Sequence, residues 1–177
     1  MEEKSPGVDA LEELTEEHQA VLSRLNTLQW TLLRLLKDQP GVVPEALNEI
    51  KAVVEFLEAE LWIHLRKEEE ILFPALSAYL GQEGWPIEVL LLEHQALRRG
   101  LRAFSSELGI LGADPESASP VEVFEVGYDL CGLLRHHIAK EDTCLFPMVA
   151  SHLGSTRLLA IGVEMRAMAW EADGRPG

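Results

Sequence analysis

Aromatic residues, cysteines and basic residues are all scarce in this 177-residue sequence, and each scarcity excludes something. Trp, Tyr and Phe together make up 6% of the chain, while Leu, Ala and Glu are frequent, the composition of an all-helical protein rather than a β-sheet one. The two cysteines, Cys131 and Cys144, fall in one predicted helix, about 20 Å apart at the helical rise, so they cannot bridge each other. Free thiols fit a reducing, cytoplasmic setting. Lys and Arg number 15 against 30 Asp and Glu, a formal charge of −15 with a pI near 4.7. Phosphate backbones and anionic lipid surfaces would be repelled, so neither nucleic acid nor membrane is an expected partner. No uninterrupted apolar run approaches the roughly 18 residues of a membrane span, and the acidic start Met1-Glu2-Glu3-Lys4 is unlike a basic-then-apolar leader.

Hydrophobic residues make up 47% of the chain, enough at this length for one core and one principal domain. Apolar positions recur at three and four. The first predicted helix is capped by Asp9 and carries Leu11, Leu14, Val21, Leu22, Leu25, Leu28 and Leu32, stopping near Asp38 before Pro40 and Gly41. The second begins at Pro44 and bears the inner stripe Leu57, Leu61, His64, Glu68 and Leu72. Pro74 must disturb its geometry before Gly81 and Gly84 end it. A third runs from Pro86 to the loop containing Gly109, Gly112, Pro115 and Ser117. A fourth runs from Pro120 to Ser151 with the stripe Leu130, Leu134, His137, Glu141 and Leu145. A shorter fifth helix is expected over 153–172, with loose tails at 1–8 and 173–177, leaving the main bundle at 9–152.

The chain repeats itself. His64-Leu-Arg-Lys-Glu-Glu-Glu-Ile-Leu-Phe-Pro74 returns as His137-Ile-Ala-Lys-Glu-Asp-Thr-Cys-Leu-Phe-Pro147, with identity at six of eleven positions. Glu17-His18-Gln19-Ala20 likewise returns as Glu93-His94-Gln95-Ala96, so a helical hairpin is used twice. Residues i and i+4 share a helix face, so His64 and Glu68 aim at one point, as do His137 and Glu141. His18 and His94 sit on the inner stripes of the neighbouring helices. Four imidazoles and two carboxylates facing one another across a bundle form a donor set for two transition-metal ions. Mixed nitrogen and oxygen ligation with open positions suits iron and admits zinc or manganese, whereas magnesium and calcium want more oxygen. Lys67, Glu69 and Glu70 read as surface charges, His136 and His152 as outside the cluster, and Cys144 as a small inward-facing core residue. Tyr128 is the one further acid–base candidate near the stripe.

On these paired His-x-x-x-Glu-Glu/Asp-x-x-Leu-Phe-Pro segments, each preceded by a lone histidine, the chain resembles the hemerythrin-like HHE cation-binding proteins over about residues 10 to 152. The resemblance implies an all-α, up-and-down antiparallel four-helix bundle, here with the additional short C-terminal helix, and a non-haem di-iron centre. His18 and His64 would bind one iron, His94 and His137 the other, and Glu68 and Glu141 would bridge. It also implies a protein that binds iron and dioxygen or nitric oxide as sensor, buffer or store. The alternative is a di-iron oxidoreductase that activates dioxygen or degrades peroxide, served by an electron-donor protein. A monomer or homodimer is expected. The oxygen carriers of this family place a further histidine where this chain has Arg98, and an aspartate where it has Glu141, which argues against reversible oxygen transport.

Overall fold

The computed structural model describes residues 8–37, 43–80, 85–114 and 119–172. The tails expected at 1–8 and 173–177 fall outside these residues except for Val8, as do Asp38, Pro40, Gly41, Gly81, Gly84, Pro115 and Ser117. Four helical rods pack together. The first, α1, is Ala10–Lys37. The second, α2, covers 43–80 and is helical throughout, although its winding changes at Leu57–Leu61 and again at Glu68–Leu72, where the turns widen to π geometry. The third, α3, is Trp85–Ala113. The fourth, α4, covers 120–172, with a π turn at Glu141–Leu145 between Pro120–Lys140 and Phe146–Ala172.

Local signals explain the starts. The Asp9 Oδ1 atom accepts from the backbone N–H groups of Leu11 and Glu12 at 2.9 and 3.0 Å, satisfying two of the donors a helix start leaves open. Pro120 follows Ser119 in the first turn of α4, where its missing N–H costs nothing. The two π turns that precede Pro74 and Pro147 share one cause. A proline cannot donate to the carbonyl four residues back, and the winding widens just before it, so that Phe73 N–H and Phe146 N–H reach five residues back to Glu68 O and Glu141 O.

Cross-helix contacts fix the directions. His18 meets His64 while Thr31 meets Glu49 at 2.9 Å, so α1 and α2 run oppositely. Glu69 meets His94 and Glu58 meets Ser105, so α2 and α3 do too, as do α3 and α4, where Glu93 meets His137 and Gly100 lies against Leu130. The core is in two blocks. One gathers Leu25, Leu28, Leu32, Ile50, Leu57, Leu97, Phe104 and Leu134; the other gathers Leu14, Leu72, Leu76, Val149, Ile161 and Met165. His18, His64, Glu68, His94, His137 and Glu141 form a buried polar layer between them.

The separate C-terminal helix expected over 153–172 is not an element of its own. The fourth rod runs on to Ala172, and Gly154 alone redirects it, with φ 68° and ψ 161°, a left-handed φ that glycine takes without a Cβ penalty. No loop intervenes, because one residue suffices to change direction. Beyond it, Leu158, Ile161 and Met165 pack into the second core block beside Ala10 and Leu14, and Arg166 ties the segment to Val8 O and Glu13. By length and hydropathy alone a stretch of this rod meets the criterion for a membrane span, and 33% of that stretch is buried within the protein.

Close approach of α4 to its neighbours depends on Gly127, where a Cβ would lie 2.6 Å from Phe104 and 2.9 Å from Leu32, both fully buried. Gly127→Val is expected to destabilise the fold by roughly 1–3 kcal/mol through overpacking. Urea unfolding monitored by circular dichroism would show this as a lower midpoint, and an unchanged midpoint would contradict the packing described.

Candidate metal centre

Four helices bring the six ligand candidates to the polar layer. His18 comes from α1, His64 and Glu68 from one face of α2, His94 from α3, and His137 and Glu141 from one face of α4. All six are at most 4% exposed. Their donor atoms form two overlapping groups, His18, His64, Glu68 and Glu141 in one and Glu68, His94, His137 and Glu141 in the other, with the atoms of each within 4.8 Å of one another. Glu68 and Glu141 belong to both, the position a bridging carboxylate takes.

The outer nitrogen of every imidazole is held by a carboxylate. The Nδ1–H of His18 donates to Asp142 Oδ1 at 2.7 Å, that of His64 to Glu17 Oε2 at 2.8 Å, that of His94 to Glu69 Oε1 at 2.7 Å, and that of His137 to Glu93 Oε2 at 3.1 Å. A carboxylate that accepts from Nδ1–H fixes the tautomer and ring plane, and turns a lone pair on Nε2 inward. The result is a cavity lined with donors of electron pairs. The Nε2 atoms of His18 and His64 approach to 3.1 Å, and Glu141 lies 3.2 and 3.1 Å from Nε2 of His18 and of His137, yet both oxygens of Glu68, both of Glu141, and Nε2 of His94 and of His137 find no partner in hydrogen-bond geometry. Buried polar atoms are rarely left in this state, because each costs about 1–3 kcal/mol. A pair of cations at this point satisfies them all, so the residues present fit the metal ions that the donor set implies.

Protons are the other way to neutralise the cluster. Burial works against an imidazolium here, but Glu141 and Asp142 outweigh it at His18, raising its pKa to about 9, and Glu141 and Glu68 raise that of His94 to about 10. His137 is shifted up in the same way. Glu141 is held well below the usual carboxylate range, burial being overcome by His137, His18 and His94.

A third layer of charges backs the carboxylates. Lys67 is buried and donates to Glu13 at 2.7 Å and to Glu17; burial opposes its charge, and the two carboxylates overcome this and keep it cationic. Lys140 pairs with Glu93 in the equivalent place. Arg98 makes a two-point contact with Glu69 at 2.7 and 3.1 Å and lies over the Trp62 ring. Phe146 stacks on His18 at 5.3 Å between centroids, and Phe73 on His94 at 5.6 Å.

Several side chains lie elsewhere than the sequence pattern predicts. Lys67 and Glu69 are not solvated surface charges; they are the outer supports of His64 and His94. The π turn at Glu68–Leu72 swings Glu69 toward α3, which a uniform helical wheel places elsewhere. The repeated Glu before each lone histidine and the repeated Lys before each bridging-type glutamate were the available signals. Cys144 is exposed rather than inward, because the wide turn at Glu141–Leu145 delays the phase and gives the buried place to Leu145. Tyr128 is 48% exposed and stacks on Phe124. Glu70 pairs with Arg66 on the surface as expected, and His136 and His152 lie exposed, apart from the cluster.

Histidines whose folded pKa lies above the unfolded value near 6.5 stabilise the folded state fully below that pH, and the contribution disappears as pH rises through the folded pKa. The metal-free protein should therefore lose thermal stability as pH rises through the values of His18 and His94, about 9 to about 10. With cations bound the imidazoles carry no such protons, so this alkaline loss should vanish and loading should release protons. Melting curves with and without a chelator, together with proton release into weakly buffered solution, check both; a metal-free melting temperature flat over that range would contradict the charge arrangement.

A family model for the hemerythrin HHE cation binding domain matches residues 9–149, and matches again over 86–169, the second half of the repeat. Curated relatives are the iron-sulfur cluster repair proteins YtfE of Cronobacter sakazakii, Escherichia coli O1:K1 / APEC and Escherichia fergusonii. Each is 30% identical over 116 residues, which is 64% of this chain and 51% of the relative. The chain thus spans about half the length of the curated relatives it matches. With the family model covering most of the chain, and the buried histidine and glutamate cluster at its centre, the chain belongs to the hemerythrin HHE cation-binding domain family.

Proposed function

We propose that this chain is a non-haem di-iron protein that binds iron together with a small diatomic ligand, oxygen or nitric oxide, and acts as a sensor, buffer or store. The observation that carries the reading is the set of inward-facing donors left without partners: both oxygens of Glu68 and of Glu141, with the imidazole Nε2 atoms around them. In this reading His18 and His64 would hold one ion and His94 and His137 the other, with Glu68 and Glu141, which belong to both donor groups, serving the two together. Two imidazoles and two carboxylate oxygens per ion are fewer donors than iron takes, which supports uptake of a further small ligand. Iron at such a centre supplies one-electron exchange and ligand binding; the protein supplies orientation and exclusion of water. Phe73, Phe146, Leu72, Leu145 and Leu134 keep the surroundings apolar, and the four Nδ1-bound carboxylates hold each ring at its angle. The name of the curated relatives, iron-sulfur cluster repair proteins, supports an iron-handling role.

An enzymatic reading would want an acid or base beside the open positions. Tyr128, weighed from the sequence, lies nine residues before His137, about 13 Å along the helix, and is exposed. Ligand binding is therefore the better-supported function.

Protein purified from iron-supplemented cells should contain about two iron atoms per chain, since each of the two donor groups takes one ion. Glu68→Ala and Glu141→Ala should each lose both irons, because either carboxylate serves both groups, whereas His136→Ala and His152→Ala should keep them. Elemental analysis decides: full iron retention by either glutamate variant would overturn the bridging roles, and zinc that iron cannot replace would overturn the choice of metal. Uptake of nitric oxide or oxygen by the reduced, iron-loaded protein, followed by visible absorption and stoichiometric gas consumption, tests the second half of the proposal.

A further inference from the structure

The six inward-facing groups are nearly symmetric about the repeat, but the groups behind them are not. Around His94 and His137 both outer carboxylates are matched by cations, Glu69 by Arg98 and Glu93 by Lys140. Around His18 and His64 only Glu17 is matched, by Lys67, while the second carboxylate on that lysine, Glu13, is balanced by Arg166 at 2.8 Å. Asp142, which holds His18, has no lysine or arginine partner among the described residues; it lines a surface groove of about 720 Å³ with Asp9, Glu12 and Glu16, themselves acidic. The origin is one position of the repeat. Four residues after the lone histidine the second half has Arg98, which reaches Glu69. At the same place the first half has Leu22, which offers no charge to Asp142, the counterpart of Glu69.

We propose that the two ends of the centre are inequivalent cation sites, and that the end built on His18 and His64 takes the first ion, with Asp142 as the positioning residue responsible. The inference rests on the reading that the cluster holds two cations. An uncompensated carboxylate accepting from Nδ1–H strengthens Nε2 as an electron-pair donor, whereas a guanidinium or ammonium on its far side draws that density away. One negative charge remains near the first end and none near the second. Asp142 is 31% exposed, so water screens part of its charge, but its 2.7 Å hydrogen bond to the buried His18 ring carries the remaining difference directly to a donor imidazole, which is enough to order the loading.

The test is a titration of the metal-free protein with cobalt(II), followed by visible absorption and calorimetry. Two steps are expected, the first tighter by about tenfold or more, the scale on which an outer hydrogen-bonding partner alters metal affinity. Asp142→Asn should weaken the first step by a similar factor and leave the second. Leu22→Arg keeps the Asp142 hydrogen bond but gives it the partner that Glu69 has, and should bring the two steps together; Arg98→Leu, the reverse exchange, should do so by tightening the second. At one equivalent of cobalt, the paramagnetically shifted imidazole N–H signals should respond to Asp142→Asn and not to Glu93→Gln, which a purely structural role for Asp142 would not produce. Circular dichroism monitors folding, and Arg98→Leu keeps the charge argument testable should Leu22→Arg misfold. Two equal sites in the natural sequence, or an Asp142→Asn effect confined to the second step, would overturn the inference while leaving the two-cation reading intact. Failure to bind cobalt at all would reject that reading as well.

Discussion

The arrangement of the whole bundle depends on keeping four imidazoles and two carboxylates buried side by side, with their inner nitrogen and oxygen atoms turned toward one another. In an apolar interior this is costly unless positive charge sits among them. The helices answer the constraint from outside. Each imidazole is fixed by a carboxylate on its Nδ1 side, and three of those carboxylates are fixed by a lysine or arginine in turn. The polar layer therefore cannot relax by rotating its rings outward, and the two aliphatic blocks above and below it cannot merge. Stability of the fold and readiness of the site for a cation are the same property.

The repeat shows how one short motif serves several ends of this constraint. Its histidine and its glutamate four residues on supply two inward donors. The residue after that glutamate reaches across to the other half: Glu69 holds His94 and Asp142 holds His18. The phenylalanine also crosses over, Phe73 to His94 and Phe146 to His18, so each half shields a histidine of the other. The proline follows a wide π turn, and that turn aims the two acidic residues in different directions, one inward and one sideways. Neither half makes a complete site alone, since Glu68 and Glu141 each serve donors from both.

Four of the inner six residues were legible in the sequence because an i, i+4 pair on a regular helix face survives any small error of phase, and His18 and His94 because Glu-His-Gln-Ala recurs. Their supports were not, because they sit one residue beyond the glutamates, inside turns that depart from α-helical winding. Uniform rotation per residue places Glu69 on the surface and Cys144 in the core, and the wide turns reverse both. Proline at 74 and 147 announced a departure from regular winding without saying which side chains it would redirect. Lys67 was misread for a different reason: a charged residue beside a run of glutamates looks solvated until the partner helix is known, and its partners Glu13 and Glu17 lie about fifty residues away in the chain. The C-terminal segment reads as a separate short helix because Gly154 and Ser155 look like a break, and pattern alone cannot tell a single redirecting glycine from a loop.

Comparing the two halves shows where the sequence is free to vary and what that freedom could adjust. Histidine, glutamate and the Leu-Phe-Pro ending are identical between them, whereas the positions around them differ: Leu22 against Arg98, Glu69 against Asp142, and the surface pair Arg66 and Glu70 against Ala139 and Thr143. The last exchange replaces an ion pair on the helix surface with a hydroxyl bonded to the carbonyl of Ala139 at 2.6 Å, a change solvent largely screens. The first exchange is of another kind, because Arg98 contacts a carboxylate that itself touches a donor imidazole. A single charge two hydrogen bonds from the centre alters the strength of a donor without altering its position. Donor geometry is thus set by the carboxylates on the four Nδ1 atoms, present in both halves, and donor strength by the cations behind them, present unequally, which lets the two halves of a repeated motif offer the same coordination geometry with different electron-donating power.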